Sequence, residues 1–458
     1  MKQMPPLIKA GFFTQFTLLL CILSPVWLSA QLSWDLEISP LYRLQIHDGS
    51  ELQLPVRTAQ AGLNWSGRTF ELHLNTDLQT RWQDPDMTEA GLREFYLHAY
   101  PFFGEVRLGR QILAWGYADQ NNPTDNINPY NYYYLFGLGI ERKEAVNALS
   151  VTVDLNVFSL QAEINEHKAN IFPWDEADFP IQFPPEADPR GRSRDPEQPW
   201  ESGLRLRFPA GGWDLSLSYR RGYDKTATPV LLTYLPPNLV FPPDNILFGY
   251  RRTQTLGMDA VAFILNATLR AEAAWFRTEN EHNTDAVWNY LISSRADYLQ
   301  YILQLEYDLP LELSFSAQYL GHSIQKAEGV SLNDLRTALM DAILNGAPLN
   351  LTESDMKTQL QIASGSPLHS FLESAAVLSL SRSFLNDRLN LKGAGIINLK
   401  ESGQIYSMSA DYYLNDWLQL ELFSSLIRSA SAEDTNFFKM MEDFSHIGLG
   451  LSMQFASF

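Results

Sequence analysis

The sequence predicts an all-β fold, a transmembrane antiparallel β-barrel of about 18 strands, with 16 as the alternative. Three observations predict it. Apolar and polar residues alternate with period two over segments of ten residues or more, where a soluble strand averages about five or six. The connections between segments are short and long by turns, the pattern of a barrel with tight turns on one side of the membrane and loops on the other. The chain also closes on an alternating segment, "IGLGLSMQFASF", whose final residue is Phe458.

The first 30 residues stand apart. Lys2 and Lys9 precede an apolar run over residues 12–23, and Leu28-Ser29-Ala30 offers a small-residue cleavage site before Gln31. This is the pattern of a secretory signal peptide, too short in its apolar run for a membrane anchor. Cys21 follows Leu20 rather than a small residue, which argues against a lipoprotein. Removal of residues 1–30 leaves 458 − 30 = 428 residues, residues 31–458, as a single barrel domain. It also takes away the only cysteine, so the exported chain has neither a disulfide framework nor a zinc–thiolate site. A formal net charge of −19, which becomes −21 without Lys2 and Lys9, excludes the clustered basic surface that nucleic acid requires. No later apolar run approaches the ~18–20 residues of a membrane helix.

Alternation begins at once. Leu32, Trp34, Leu36 and Ile38 alternate with Ser33, Asp35, Glu37 and Ser39, and Leu72, Leu74 and Leu78 with Glu71, His73 and Asp77. The predicted strands lie near 32–46, 57–66, 68–82, 92–101, 104–115, 145–155, 157–165, 201–208, 212–222, 252–265, 267–278, 297–308, 311–322, 371–384, 387–399, 404–414, 416–427 and 445–456. Long connections fall at 83–91, 116–144, 166–200, 223–251, 279–296, 323–370 and 428–444. Backbone satisfaction explains why such a sheet must close: each unpaired N–H or C=O in lipid costs several kcal/mol. Apolar residues then face lipid and polar ones the lumen. A secreted sandwich or β-helix leaves the long strands and the two-sided loop asymmetry unexplained. One segment departs from the pattern. In residues 331–345, "SLNDLRTALMDAILN", Leu332, Leu335, Leu339 and Ile343 share a helical face, Ser331 resembles an N-cap and Gly346 suits the helix stop. A short loop helix is predicted there.

Little in the chain points to catalysis. Histidines stand at 47, 73, 98, 167, 282, 322, 369 and 446, without HExxH or paired ligand spacing. His73 and His98 fall on neighbouring strands in the same phase; the plain reading is two polar residues lining the lumen. "GHS" at 321–323 and "FSH" at 444–446 put serine beside histidine, but adjacent residues in a strand point to opposite faces. Neither a nucleophile elbow nor a phosphate loop is present, so the sequence predicts no enzyme, no metal and no cofactor.

Charges say more. The polar phase places Arg107, Gln111, Arg205, Arg207 and Arg220 toward the lumen, and Glu71, Asp77 and Glu94 on earlier strands face the same way. A basic wall opposite an acidic one would set a transverse field across a wet channel, unless the charges pair and plug it. The favoured reading is the channel, because a barrel of ~16–18 strands is wide enough to carry water. The stretch "RLGRQILAWGYADQNNPTDNINPY", residues 107–130, begins as a strand and becomes a polar loop. The connection 116–144 follows strand five, and folded inward, as the corresponding loop is in porin-like barrels, it would narrow the pore. Asp119 and Asp125 would bring negative charge to the constriction, and Tyr130 and Tyr132 amphipathic faces. The equal alternative is a surface loop whose tyrosines join the interfacial aromatic girdle.

"VRLGRQILAWGYADQNNPTDNINP" with the downstream "ERKEAVNALSVTVDL" resembles a strand–loop–strand signature of bacterial outer-membrane porin-like families, among them alginate-export-type channels. The resemblance covers about a tenth of the chain. It implies a monomeric barrel of about 18 strands, with Arg107, Arg110, Gln111, Trp115, Asp119 and Asp125 lining or bracing the mouth, although the acidic total fits an anion pathway poorly. The expected function is passage of small polar or charged solutes across a bacterial outer membrane, reached by export through the cleaved signal. The partners expected are outer-membrane lipid, small polar solutes and the assembly machinery that reads a last strand ending in Phe458. The alternative is a barrel used as a surface-binding scaffold through its long loops.

Overall fold

The computed structural model describes residues 31–134, 139–173, 193–233, 246–281, 289–291, 294–330, 362–431 and 436–457, with residues 337, 341, 354, 355, 357 and 360. The predicted signal peptide 1–30, Phe458 and most of the predicted loop helix 331–345 lie outside the described residues. Of that helix only Thr337 and Asp341 are described, and both are helical.

The described chain forms a closed antiparallel barrel of 18 strands. We number the barrel strands alone. β1 runs in two segments, Gln31–Ile38 and Leu41–Gln45; then follow β2 Val56–Ser66, β3 Phe70–Thr80, β4 Glu89–Ala99, β5 Gly104–Gln111 and β6 Val146–Leu155. Next come β7 Phe158–Glu166, β8 Trp200–Ala210, β9 Trp213–Tyr223, β10 Arg252–Ile264, β11 Ala267–Glu279 and β12 Arg295–Leu309. The last six are β13 Leu313–Gly329, β14 Ser374–Phe384, β15 Leu389–Asn398, β16 Gln404–Asn415, β17 Leu418–Arg428 and β18 His446–Ala456. Each strand pairs with its neighbour in sequence, and β18 pairs with both segments of β1, Leu36 opposite Phe455 and Leu41 opposite Gly450. That pairing removes the free edge.

The alternation read in the sequence is the alternation of faces. On β12 the outward Leu303 is 57% exposed while the inward Gln304 is 2% exposed, so the polar neighbour is the covered one. Outward aromatics collect near both strand ends, Trp34, Trp213, Trp417 and Phe455 at the turn end and Tyr42, Trp82, Trp200 and Tyr406 at the loop end, as the girdles of a membrane barrel do. Beyond the loop end, Thr228–Thr233, Ile246–Gly249, Asn289–Leu291 and Ser193–Arg194 form a separate four-stranded ladder.

Most strand ends shift by one to three residues from the sequence reading, and four larger or structural differences each have a local reason. Pro40 has no N–H to donate and interrupts β1 after Ile38. β5 stops at Gln111 rather than at 115, because the Asn128 side chain accepts from Leu113 N at 2.7 Å and donates to Gln111 O at 3.1 Å in place of the ladder. The predicted start of strand fourteen at 371 is instead the end of a short helix, Pro367–Phe371, and β14 begins at Ser374. β13 extends to Gly329, seven residues past the predicted 322, carried beyond the girdle by continued pairing with β12.

Face assignment yields a direct test. Replacing the outward Leu303 by Arg should destabilise the barrel in lipid by about 2–4 kcal/mol, whereas Arg at the inward Ser379 should leave it nearly unchanged. Urea titration in vesicles, read by tryptophan fluorescence, measures both.

Candidate functional site

The interior is built from the inward phase of the strands and from the segment that links β5 to β6. Residues 112–134 leave the top of β5 and cross the lumen, and Tyr117 to Thr124 seat on the far wall, six to eight strands away. The seat is the Glu272 carboxylate on β11. It accepts from Tyr117 N at 2.5 Å, Ala118 N at 2.6 Å, Asn122 Nδ2 at 3.1 Å and Thr124 Oγ1 at 2.8 Å. Gln304 on β12 accepts from Asp119 N at 2.9 Å, and Gln318 on β13 donates to Asp119 O at 3.0 Å while accepting from Asn121 at 3.1 Å.

Local sequence makes this seat possible. A Cβ at Gly116 would lie 2.6 Å from Glu272 Oε1, and its φ of +93° is one that a side chain disfavours, so only glycine lets the chain turn against the carboxylate. Trp115 reaches β8 where Gly203 leaves room: a Cβ there would approach the indole Cη2 to 2.7 Å. Trp115 is 1% exposed and joins Leu113, Ile127, Val146 and Ala148 in one cluster. Asn128 closes the stem of the segment through Leu113 N, Gln111 O and Glu144 O.

The sequence-predicted residues fall into several situations. Arg205 and Arg220 face the interior, buried and already paired. Arg205 meets Asp259 at 2.6 Å and stacks under Tyr117, and Arg220 is bonded to Glu201 with Glu163 at 3.5 Å. Asp77 is bound by Arg57 at 3.0 Å, which also holds Glu141 at 2.9 Å, so this pair ties the wall to the end of the inward segment. Arg207 donates to Ser159 Oγ at 3.1 Å and is half-buried. Arg107 is half-exposed beside Glu105 at 3.5 Å. Glu94 accepts from Ile112 N at 2.7 Å, and Gln111, 1% exposed, donates to Ala148 O. Glu71 lies on the inner wall with His73 and His98, whose rings stand 6.3 Å apart.

In the inward segment, Asp119 stays exposed, with Arg270 at 3.5 Å, while Asp125 is buried on Lys143 at 2.5 Å. Tyr130 and Tyr132 are buried away from both lipid and the girdles. Tyr132 stacks on Phe172 at 4.0 Å and meets Phe371 edge-on, and Phe371 stacks on Phe437 at 4.8 Å. Burial pushes the Tyr132 hydroxyl above its ordinary range. These rings join Leu372, Ile405, Ile427, Phe438 and Phe444 in an apolar layer across the mouth, which Ala118 touches from below. Period-two reading missed that layer and missed Glu272, Gln304 and Gln318; an inward carboxylate set among alanines in "RAEAAWF" is the one signal that marked Glu272.

A serine–histidine contact does occur. His369 Nδ1 accepts from Ser366 Oγ at 2.6 Å while Nε2 donates to Tyr301 O at 3.0 Å. Both side chains are fully buried at the start of a short helix, so the pair fastens the loop to β12 and reaches no solvent.

A closed 18-strand antiparallel sheet with an apolar outer face, a polar inner face and a loop carried across the lumen defines the fold class, a β-barrel of the membrane-spanning kind. Structures of three Pseudomonas aeruginosa proteins are similar over nearly the whole chain. OccK5 (OpdH) superposes with a TM-score of 0.51 at 11% identity, over 94% of this chain and 99% of that one. OccK11 (OpdR) gives 0.50 at 12%, over 93% and 96%, and OccK2 (OpdF) in complex with glucuronate gives 0.50 at 11%, over 94% and 98%. At these identities the likeness is one of fold. No protein-family model and no curated protein matches the sequence.

Two outcomes are expected at this site. Glu272→Ala leaves the Tyr117 and Ala118 amides without an acceptor, at about 1–3 kcal/mol each. Amide hydrogen exchange should accelerate across 115–125 while the strands stay protected. Burial lowers the His369 pKa to about 4, against the bond to Tyr301 O and with the help of His322. The detached loop then binds the extra proton between pH 6.5 and 4. Its attachment is whole above that window and lost as pH falls through it, by about 1.4 kcal/mol per pH unit. Exchange of the 366–372 amides should follow this curve in the native protein and flatten in His369→Gln.

Proposed function

We propose that the protein is a bacterial outer-membrane channel for small polar or charged solutes, its lumen narrowed by residues 112–134. The carrying observation is the seat of that segment on Glu272, Gln304 and Gln318 across the barrel. A chain bonded to opposite walls reduces the free cross-section and leaves Asp119 exposed, with the half-buried Arg270 shared between it and Glu306, beside the remaining space, where charge rings set permeant preference. Export through residues 1–30 as a cleaved signal, and assembly through the strand that ends in Phe458, belong to the same reading.

In this reading Arg107, Arg207, Glu71 and Asp119 line the path, while Arg205, Arg220 and Asp77 brace it through their ion pairs. OccK2 holds glucuronate in its crystal structure. Here two of the interior arginines are already neutralised by Asp259 and Glu201. That arrangement favours small polar solutes of mixed charge over the acidic polysaccharide of alginate-type channels.

Planar bilayers test the proposal. The native protein should give stepwise conductance, Glu272→Ala larger steps, and Asp119→Asn a reversal potential shifted toward anions under a salt gradient. A folded barrel that conducts in neither native nor Glu272→Ala form would overturn the reading.

A further inference from the structure

Strand register gathers a second group of chemistry-bearing side chains on the inner wall at the turn end of β2 to β5. Glu71 stands opposite His98, and His98 opposite Arg107; Asn64 stands opposite His73. All share the polar phase, with Leu72, Leu97 and Leu108 on the lipid side. One imidazole nitrogen from each of His73 and His98 and one Glu71 oxygen lie within 4.8 Å of one another.

With neutral imidazoles, hydrogen-bond accounting leaves these three atoms short of protons. His73 Nδ1 lies 2.6 Å from Asn64 Oδ1, which only accepts, so Nδ1 carries the proton and Nε2 keeps a lone pair. That lone pair meets Glu71 Oε2 at 3.1 Å, acceptor against acceptor. His98 Nε2 faces both Glu105 Oε2 at 3.2 Å and the Arg107 Nε–H donor at 3.4 Å; the shorter, charge-assisted contact to Glu105 puts the proton on Nε2, at the expense of the long Arg107 bond, and leaves Nδ1 as a lone pair. The Tyr100 hydroxyl reaches both His98 Nδ1 at 3.0 Å and Glu71 Oε2 at 3.1 Å with a single proton for the two. A shared cation would satisfy all three.

We propose that Glu71, His73 and His98 bind a divalent transition-metal ion of the Zn2+, Ni2+ or Cu2+ type on the lumen wall. Two imidazoles and one carboxylate suit these ions over Mg2+ or Ca2+, which take oxygen ligands. The outer contacts are those of a metal site: His73 donates its other N–H to Asn64 and His98 to the Glu105 carboxylate, which fixes tautomer and ring orientation. Two carboxylates, Glu71 and Glu105, outweigh the single Arg107 charge, which Glu105 draws to itself at 3.5 Å. Metal bonds of about 2.0–2.2 Å bring ligand atoms to about 3–3.5 Å apart, a closure within reach of side-chain rotation. The Tyr100 hydroxyl or water takes the fourth place. Nothing in this proposal requires that the barrel conduct.

The purified protein in detergent, stripped with chelator, is titrated with Zn2+ by calorimetry and with Cu2+ by electron paramagnetic resonance. One equivalent should bind, with a two-nitrogen hyperfine pattern for Cu2+. His73→Ala and His98→Ala should each remove that equivalent, and Asn64→Leu should weaken it about 10–100-fold. His47→Ala, at an exposed histidine away from the wall, should leave it unchanged. Heat-modifiable migration on gels reports folding, and the nearly isosteric Glu71→Gln covers the case in which a histidine variant misfolds; it too must weaken Zn2+ binding. Absence of a one-equivalent site in the native protein, or its persistence in both His98→Ala and Glu71→Gln, would overturn the proposal.

Discussion

A sheet that crosses lipid has no water to satisfy its edge, and every other feature of this molecule follows from the pairing of β18 with β1. Closure turns a period-two pattern into two concentric surfaces. One is apolar and faces hydrocarbon; the other collects charges that a soluble barrel would place outside. Inner charges covered by the facing strands and by the inward segment find one another: Arg205 with Asp259, Arg57 with Asp77.

What closure leaves is a cylinder to be filled or kept open, and the chain fills part of it with itself. Taking the Glu272 carboxylate out of water is costly, and four donors offset that cost only because the segment from Gly116 to Thr124 curls around it. Above this polar seat the interior changes character. Tyr132, Phe371 and Phe437 bring the loops together by apolar packing. Two kinds of interaction therefore hold the mouth, a directional one beneath and a non-directional one above.

The strands were legible because lipid imposes a one-dimensional rule: alternate, and stay long. All eighteen predicted strands are present, and the boundary errors sit where side chains rather than ladders take the backbone groups, as at Asn128 and Pro40. Phase was legible too: Arg205 and Arg220 lie on the face opposite the exposed Leu204 and Tyr219. Pairing was not. Arg205 meets a residue two strands on, and Glu272 serves amides about 150 positions earlier, relations that depend on curvature and on a loop turned inward rather than on any local pattern. The contact between His73 and His98 is the intermediate case: adjacent strands and a common phase suggested it, and only the register gave it a distance.

The inward segment has a consequence in time. It is made with β5, yet its seat lies on β11, β12 and β13, between about 150 and 200 residues further along the chain. Until those strands have paired and curled round, Glu272 faces no cavity and the segment has nothing to enter. Contacts at such separation must wait for the loops between them to close. The interior is therefore furnished last: the wall is raised first, without a template inside it, and the occupant moves in as the circle shuts.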